Sequence, residues 1–123
     1  MLPAEDDVVA AYAWVASRFA LGKACSRPAI RAALREAEHL AEDVYEGPAA
    51  LLYAFARSPR AFAGARTMTV LLVLAQVASS GQRLLPGLGP CELGELVEDV
   101  RRGERTYAEV RASLADGLFP FGG

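Results

Sequence analysis

The stretch from Met68 to Ala78 is apolar nearly all round, interrupted by Gln76. Such a segment does not face water, and it is well short of the ~20 residues needed to span a bilayer. Other parts of the same chain have to enclose it. The sequence therefore predicts an all-α bundle of about six helices arranged around a buried central helix, Thr67–Ser80.

The rest of the chain supplies the other helices, with glycine and proline marking their limits. Glu5, Asp6 and Asp7 follow Pro3 and suit the positive end of a first helix, whose apolar positions Val8, Ala11, Tyr12, Val15 and Phe19 run to a stop at Gly22. Trp14, beside them, reads as a core anchor. Ser26 is an N-cap with Pro28 in the first turn, and Ile30, Leu34, Ala37, Leu40 and Val44 continue that second helix. Gly47-Pro48 opens a third helix, with Leu51, Leu52 and Phe55 inward, which stops before Pro59. Gln82 to Pro90 reads as a loop. Glu92 to Arg102 forms a short helix closed by Gly103, and Thr106-Tyr107-Ala108-Glu109 is a capping box for the last one. The tail from Gly117 has no helical period, and its Phe119 and Phe121 either fold back over the core or dock a partner. There is no strand-like alternation and no linker, so residues 1–123 read as one domain.

Composition narrows the function classes. With 53% hydrophobic and 23% charged residues, the chain has ample material for a core. A formal net charge of −2 gives no general attraction to nucleic acid or to an anionic membrane. The acidic start, Glu5-Asp6-Asp7, is unlike a secretory signal, so a cytoplasmic protein is expected. Cys25 and Cys91 stand apart, and His39 is the one histidine, too few ligands for a zinc site, which takes about four. No metal or cofactor is expected. The abundance of Ala, Arg, Gly and Leu suits a GC-rich bacterial genome.

The segment with the most chemistry is Ser58–Thr67, a short turn leading into the apolar helix. Gly64 lets the backbone approach a ligand closely, and the free N–H groups of the following helix favour an anion. Arg60 and Arg66, with Arg57 nearby, add fixed charge suited to phosphate. The plainer reading of the same residues is a capped helix start with solvated arginines. His39 lies among acids on the second helix and reads as a surface or rim residue.

The order of elements resembles the Fic/Doc family, above all its short Doc-type (death-on-curing) toxins. There an apolar helix leads into a loop of the form H-P-F-x-x-G-N-K-R-T, followed by a central helix. Residues 50–59 resemble the lead-in, Thr69 to Gly81 the central helix and its end, and Glu92 to Glu104 with Thr106 to Leu114 the C-terminal pair. Matched without gaps, Ser58 stands where the family has its catalytic histidine, and Pro59 on the proline. Arg60 replaces the phenylalanine, Phe62 the acid and Gly64 the asparagine, while Arg66 and Thr67 match the closing Arg-Thr. A one-residue shift puts Gly64 on the glycine, and a two-residue shift puts Phe62 on the phenylalanine. No histidine appears under any of them.

A serine is no base near neutral pH, and no carboxylate lies between Arg57 and Arg66 to hold magnesium. The resemblance thus implies a degenerate Doc-like protein, related to toxin–antitoxin pairs and partnered by a small antitoxin, in which the loop binds an anion or nucleotide without the usual transfer reaction. Arg60, Gly64, Arg66 and Thr67 are the binding candidates, with Ser58, Tyr53 and His39 behind them. Two alternatives stay open: a biosynthetic enzyme for a small molecule, using Arg60, Arg66, Tyr53 or His39, and a non-catalytic scaffold or regulator.

Overall fold

The computed structural model describes residues 2–19, 25–79, 82–84 and 88–120. Gly22, Ser80, Gly81 and Phe121, each singled out above, lie outside them. Among the described residues there are six α-helices: α1 (Glu5–Phe19), α2 (Arg27–Leu40), α3 (Gly47–Ala56), α4 (Ala65–Ser79), α5 (Pro90–Arg101) and α6 (Tyr107–Gly117). The fold is the all-α bundle that the periodicity predicts.

Its helix limits are chemical ones. Ser26 accepts the Ala29 N–H at 3.3 Å and caps α2. That helix stops at Leu40, short of Val44, because Asp43 Oδ1 accepts the N–H groups of Tyr45 and Glu46 and starts a separate 3₁₀ turn, Val44–Glu46. Glu92 accepts the Gly89 N–H at 2.8 Å at the head of α5. Thr106 and Glu109 exchange the two bonds of a capping box at 3.0 and 3.3 Å. The bond from the Thr106 N–H holds the Glu109 carboxyl below its usual range.

The end of α5 is a Schellman motif. Gly103 takes φ 77°, its N–H donates to the Val100 carbonyl at 3.0 Å, and the Glu104 N–H donates to the Asp99 carbonyl at 2.8 Å. A side chain at this φ is strained by about 1–2 kcal/mol. Gly103→Ala should therefore lower the unfolding free energy by that amount, read from urea midpoints, although open space surrounds the position.

Two clusters of buried side chains share α3 as their common wall. On one side Ala50, Leu51, Ala54 and Phe55 meet Val8, Tyr12, Ile30, Leu34 and Met68. On the other, Ala49, Leu52 and Ala56 meet Val73, Val77, Leu93, Val97 and Leu114. This corrects the expectation for the central helix. Every residue of α3 except Tyr53 is buried, whereas α4 leaves Arg66, Thr67, Ala75, Ala78 and Ser79 exposed. The reason is size: the alanines of α3, with Gly47 at its head, let α2 and α4 pack closely against it. At Gly47 an added Cβ would lie 2.9 Å from the amide nitrogen of the buried Gln76.

Two other expectations change. Trp14 is 59% exposed, with the Arg18 guanidinium 4.9 Å over its ring. It sits two positions beyond Tyr12, about 200° round the helix, and so faces away from the Val8–Tyr12–Val15 stripe. The chain also contains strands: Gln82–Leu84 (β1) pairs antiparallel with Leu118–Pro120 (β2), Arg83 opposite Phe119. Three-residue strands are too short to show alternation in sequence. The backbone around Phe119 thus returns to the bundle, and part of the stretch expected as a loop is ribbon.

Candidate functional site

The Ser58–Thr67 segment is pinned by one aromatic side chain. Phe62 is buried, stacked between Tyr12 at 5.1 Å and Phe55 at 5.6 Å between ring centroids. The backbone is tied as well. The Ser26 N–H donates to the Ala61 carbonyl at 2.9 Å, Cys25 bridges Phe62, and the Tyr12 hydroxyl donates to the Ala63 carbonyl at 3.4 Å. The turn itself closes through the Ala61 N–H, which donates to the Ser58 carbonyl. Gly64 then takes φ 67°, the left-handed region that glycine occupies without strain, and its carbonyl accepts the Met68 N–H at 3.1 Å to begin α4.

Next to this corner lies a cleft of about 330 Å³ between the loop, the start of α4 and the second half of α5. Gly64, Ala65 and Arg66 bring to it the head of α4, where the first-turn N–H groups have no partner within the helix. Pro59, Phe62 and Val97 supply apolar wall, and Glu98 and Arg101 come from α5. Glu98 and Arg101 pair at 3.0 Å. Arg66 has no carboxylate partner among the described residues, and its guanidinium lies across α5 at Gly94. An added Cβ there would come within 2.7 Å of Nε. A glycine inside a helix costs about 1 kcal/mol relative to alanine, and the path of Arg66 accounts for this one.

The most buried polar residue lining the cleft is Thr69. It is 1% exposed, lines the cleft, and its Oγ1 has no hydrogen-bond partner among the described residues. A buried hydroxyl without a partner costs about 1–3 kcal/mol. Thr69→Val keeps the shape and removes that hydroxyl, so it should raise the melting temperature of the unliganded protein. A fall in melting temperature would mean that the hydroxyl is satisfied.

The sequence candidates divide. Gly64 and Arg66 line the cleft; Arg60, Thr67, Ser58, Tyr53 and His39 do not. Arg60 and Thr67 are exposed outside it, and Ser58 serves the turn through its backbone. Tyr53 sits edge-on to Tyr107 at 5.7 Å, beneath the Arg57 guanidinium at 5.3 Å. Arg57 also pairs with Glu36, so its charge is directed to α2. His39 Nδ1 is 2.9 Å from the Arg35 carbonyl on the exposed side of α2. Thr69, Glu98 and Arg101 escaped the sequence reading. The signals available were a threonine inside an apolar run and Gly94 inside a helix.

A second polar cluster lies away from the cleft. Tyr107 donates to Glu46 at 3.0 Å, with Arg111 3.5 Å from the same carboxylate. Burial, then the Glu46 bond, pushes the Tyr107 hydroxyl well above its ordinary pKa. These groups satisfy one another and hold α6 to the head of α3. Cys25 and Cys91 are both free thiols. Among the described residues no three metal-ligating side chains are grouped, and no helix is long and apolar enough to cross a membrane.

The sequence matches no protein-family model and no curated protein. The geometry of the cleft therefore carries the functional argument.

Proposed function

We propose that this chain is a degenerate Doc-like protein of the cytoplasm that binds an anion at the head of α4, without the nucleotidyl or phosphoryl transfer its fold resemblance would suggest. The observation that carries the reading is the meeting of Gly64, Arg66 and Thr69, whose buried hydroxyl is unpartnered among the described residues, at one cleft. Backbone N–H groups and a helix dipole favour negative charge there, and Arg66 is an uncommitted guanidinium beside them. Ser58, in the position of the family's histidine, is engaged in the turn through its backbone and lies outside the cleft. Ser58 thus offers no base to an attacking hydroxyl, and Glu98, the carboxylate that does line the cleft, is paired with Arg101. The partner that goes with this reading is a small antitoxin-type protein.

Two measurements on the full chain test it. Inorganic phosphate should raise the melting temperature of the wild type and have a much smaller effect on Arg66→Ala, since a ligand stabilises only the state that binds it. Incubation with nucleoside triphosphates and magnesium should leave both the protein and a candidate partner at unchanged intact mass. Transfer of a nucleotidyl or phosphoryl group would refute the loss of chemistry, and indifference to phosphate would refute the anion site.

A further inference from the structure

We infer that the cleft takes a singly charged organic anion with an apolar body, an aryl or short acyl carboxylate, in preference to a nucleoside triphosphate; this rests on the reading of the cleft as an anion site. Charge comes first. Arg66 and Arg101 face one carboxylate, Glu98, which is already paired with Arg101. One guanidinium is left uncompensated, and the helix head adds about half a positive charge. That balance neutralises one negative charge and leaves a triphosphate largely uncompensated in a partly desolvated site.

The walls point the same way. Pro59 and Phe62 from the loop and Val97 from α5 are apolar, and Phe62 is held rigidly by its two ring neighbours. At about 330 Å³ the cleft is at the small end of ligand sites, about 300–1,000 Å³. It has room for a ring or short chain, with the carboxylate at the head of α4. Thr69 backs the same cleft with an Oγ1 that is closed to solvent and unpartnered among the described residues, so a carboxylate that enters deeply enough to uncover it would supply its missing bond. Gly94 belongs to the same arrangement, because the missing side chain lets Arg66 reach across α5.

The test is calorimetric titration of the full chain with benzoate, phenylacetate and hexanoate, set against inorganic phosphate and ATP. At least one carboxylate should bind about tenfold tighter than inorganic phosphate, the difference coming from burial of its apolar body. Arg66→Ala, an exposed position, should weaken that binding about tenfold. Thr69→Val should weaken it several-fold while raising the melting temperature, and Thr69→Ser should restore it. Phosphate or ATP binding as tightly as every carboxylate would overturn the inference and leave the anion site standing. Carboxylate binding unmoved by both Arg66→Ala and Thr69→Val would overturn it by placing the ligand elsewhere. Silence from all five compounds would overturn both readings.

Discussion

Replacing Phe62 with alanine should remove about 3–5 kcal/mol of stability, a large share of the roughly 5–15 kcal/mol that holds a domain of ordinary stability together. The side chain is 4% exposed and fills the space between Tyr12 of α1 and Phe55 of α3. Truncation empties that space and removes two stacked ring contacts. The loss is structural at longer range too, since the segment bonded to Ser26 and Tyr12 is held in register by this anchor. Anion binding should therefore fall with stability in Phe62→Ala, and recover in part in Phe62→Leu, which keeps an apolar plug. Urea unfolding followed by circular dichroism gives the stability. A loss below about 1 kcal/mol, within the range of ordinary surface and mild substitutions, would mean that the loop is not anchored there.

The second large effect concerns α3. Leu51 and Leu52 are adjacent in sequence and both 0% exposed, yet they enter different clusters. Leu51→Ala opens the cluster toward α1 and α2, and Leu52→Ala the one toward α5 and α6. Each should cost about 2–5 kcal/mol, and the double variant should be close to unfolded at room temperature. Leu71→Ala and Leu74→Ala on α4 serve as comparisons, because both side chains are half-buried. They should cost less than either α3 truncation. An order reversed, with the α4 pair more damaging, would restore α4 as the axis of the bundle.

That comparison marks where sequence and structure part. Local chemistry was legible: Ser26, Gly103 and the Thr106–Glu109 box set helix ends with neighbouring atoms alone, and each is found in the structure. Which helix becomes the axis was not. Thr67–Ser80 is the longer apolar run, but enclosure depends on how closely neighbours approach, and the small residues of α3 decide that. The outward place of Trp14 follows from the angle it makes with Val8 and Tyr12, which prevails over its hydrophobicity. The β1–β2 ribbon joins segments distant in the chain, so no local pattern announces it.

The candidate site was half legible for a similar reason. Gly64 and Arg66 announce a helix start with a positive φ and a charge beside it. Thr69, Glu98 and Arg101 enter the cleft only because α5 packs on α4, through Val97 and Val100 against Val70 and Val73. Arg60 and Thr67 are candidates on the same grounds as Arg66, but the turn leaves Arg60 exposed and Thr67 lies on an exposed part of α4.

Backbone amide NMR reads directly whether the head of α4 is an anion site. During titration with inorganic phosphate, the largest shifts should fall on the amides of Gly64, Ala65, Arg66 and Thr67, and Arg66→Ala should strongly reduce them. Shifts centred instead on the exposed Arg27 and Arg31, or absent from the head of α4, would contradict an anion site there.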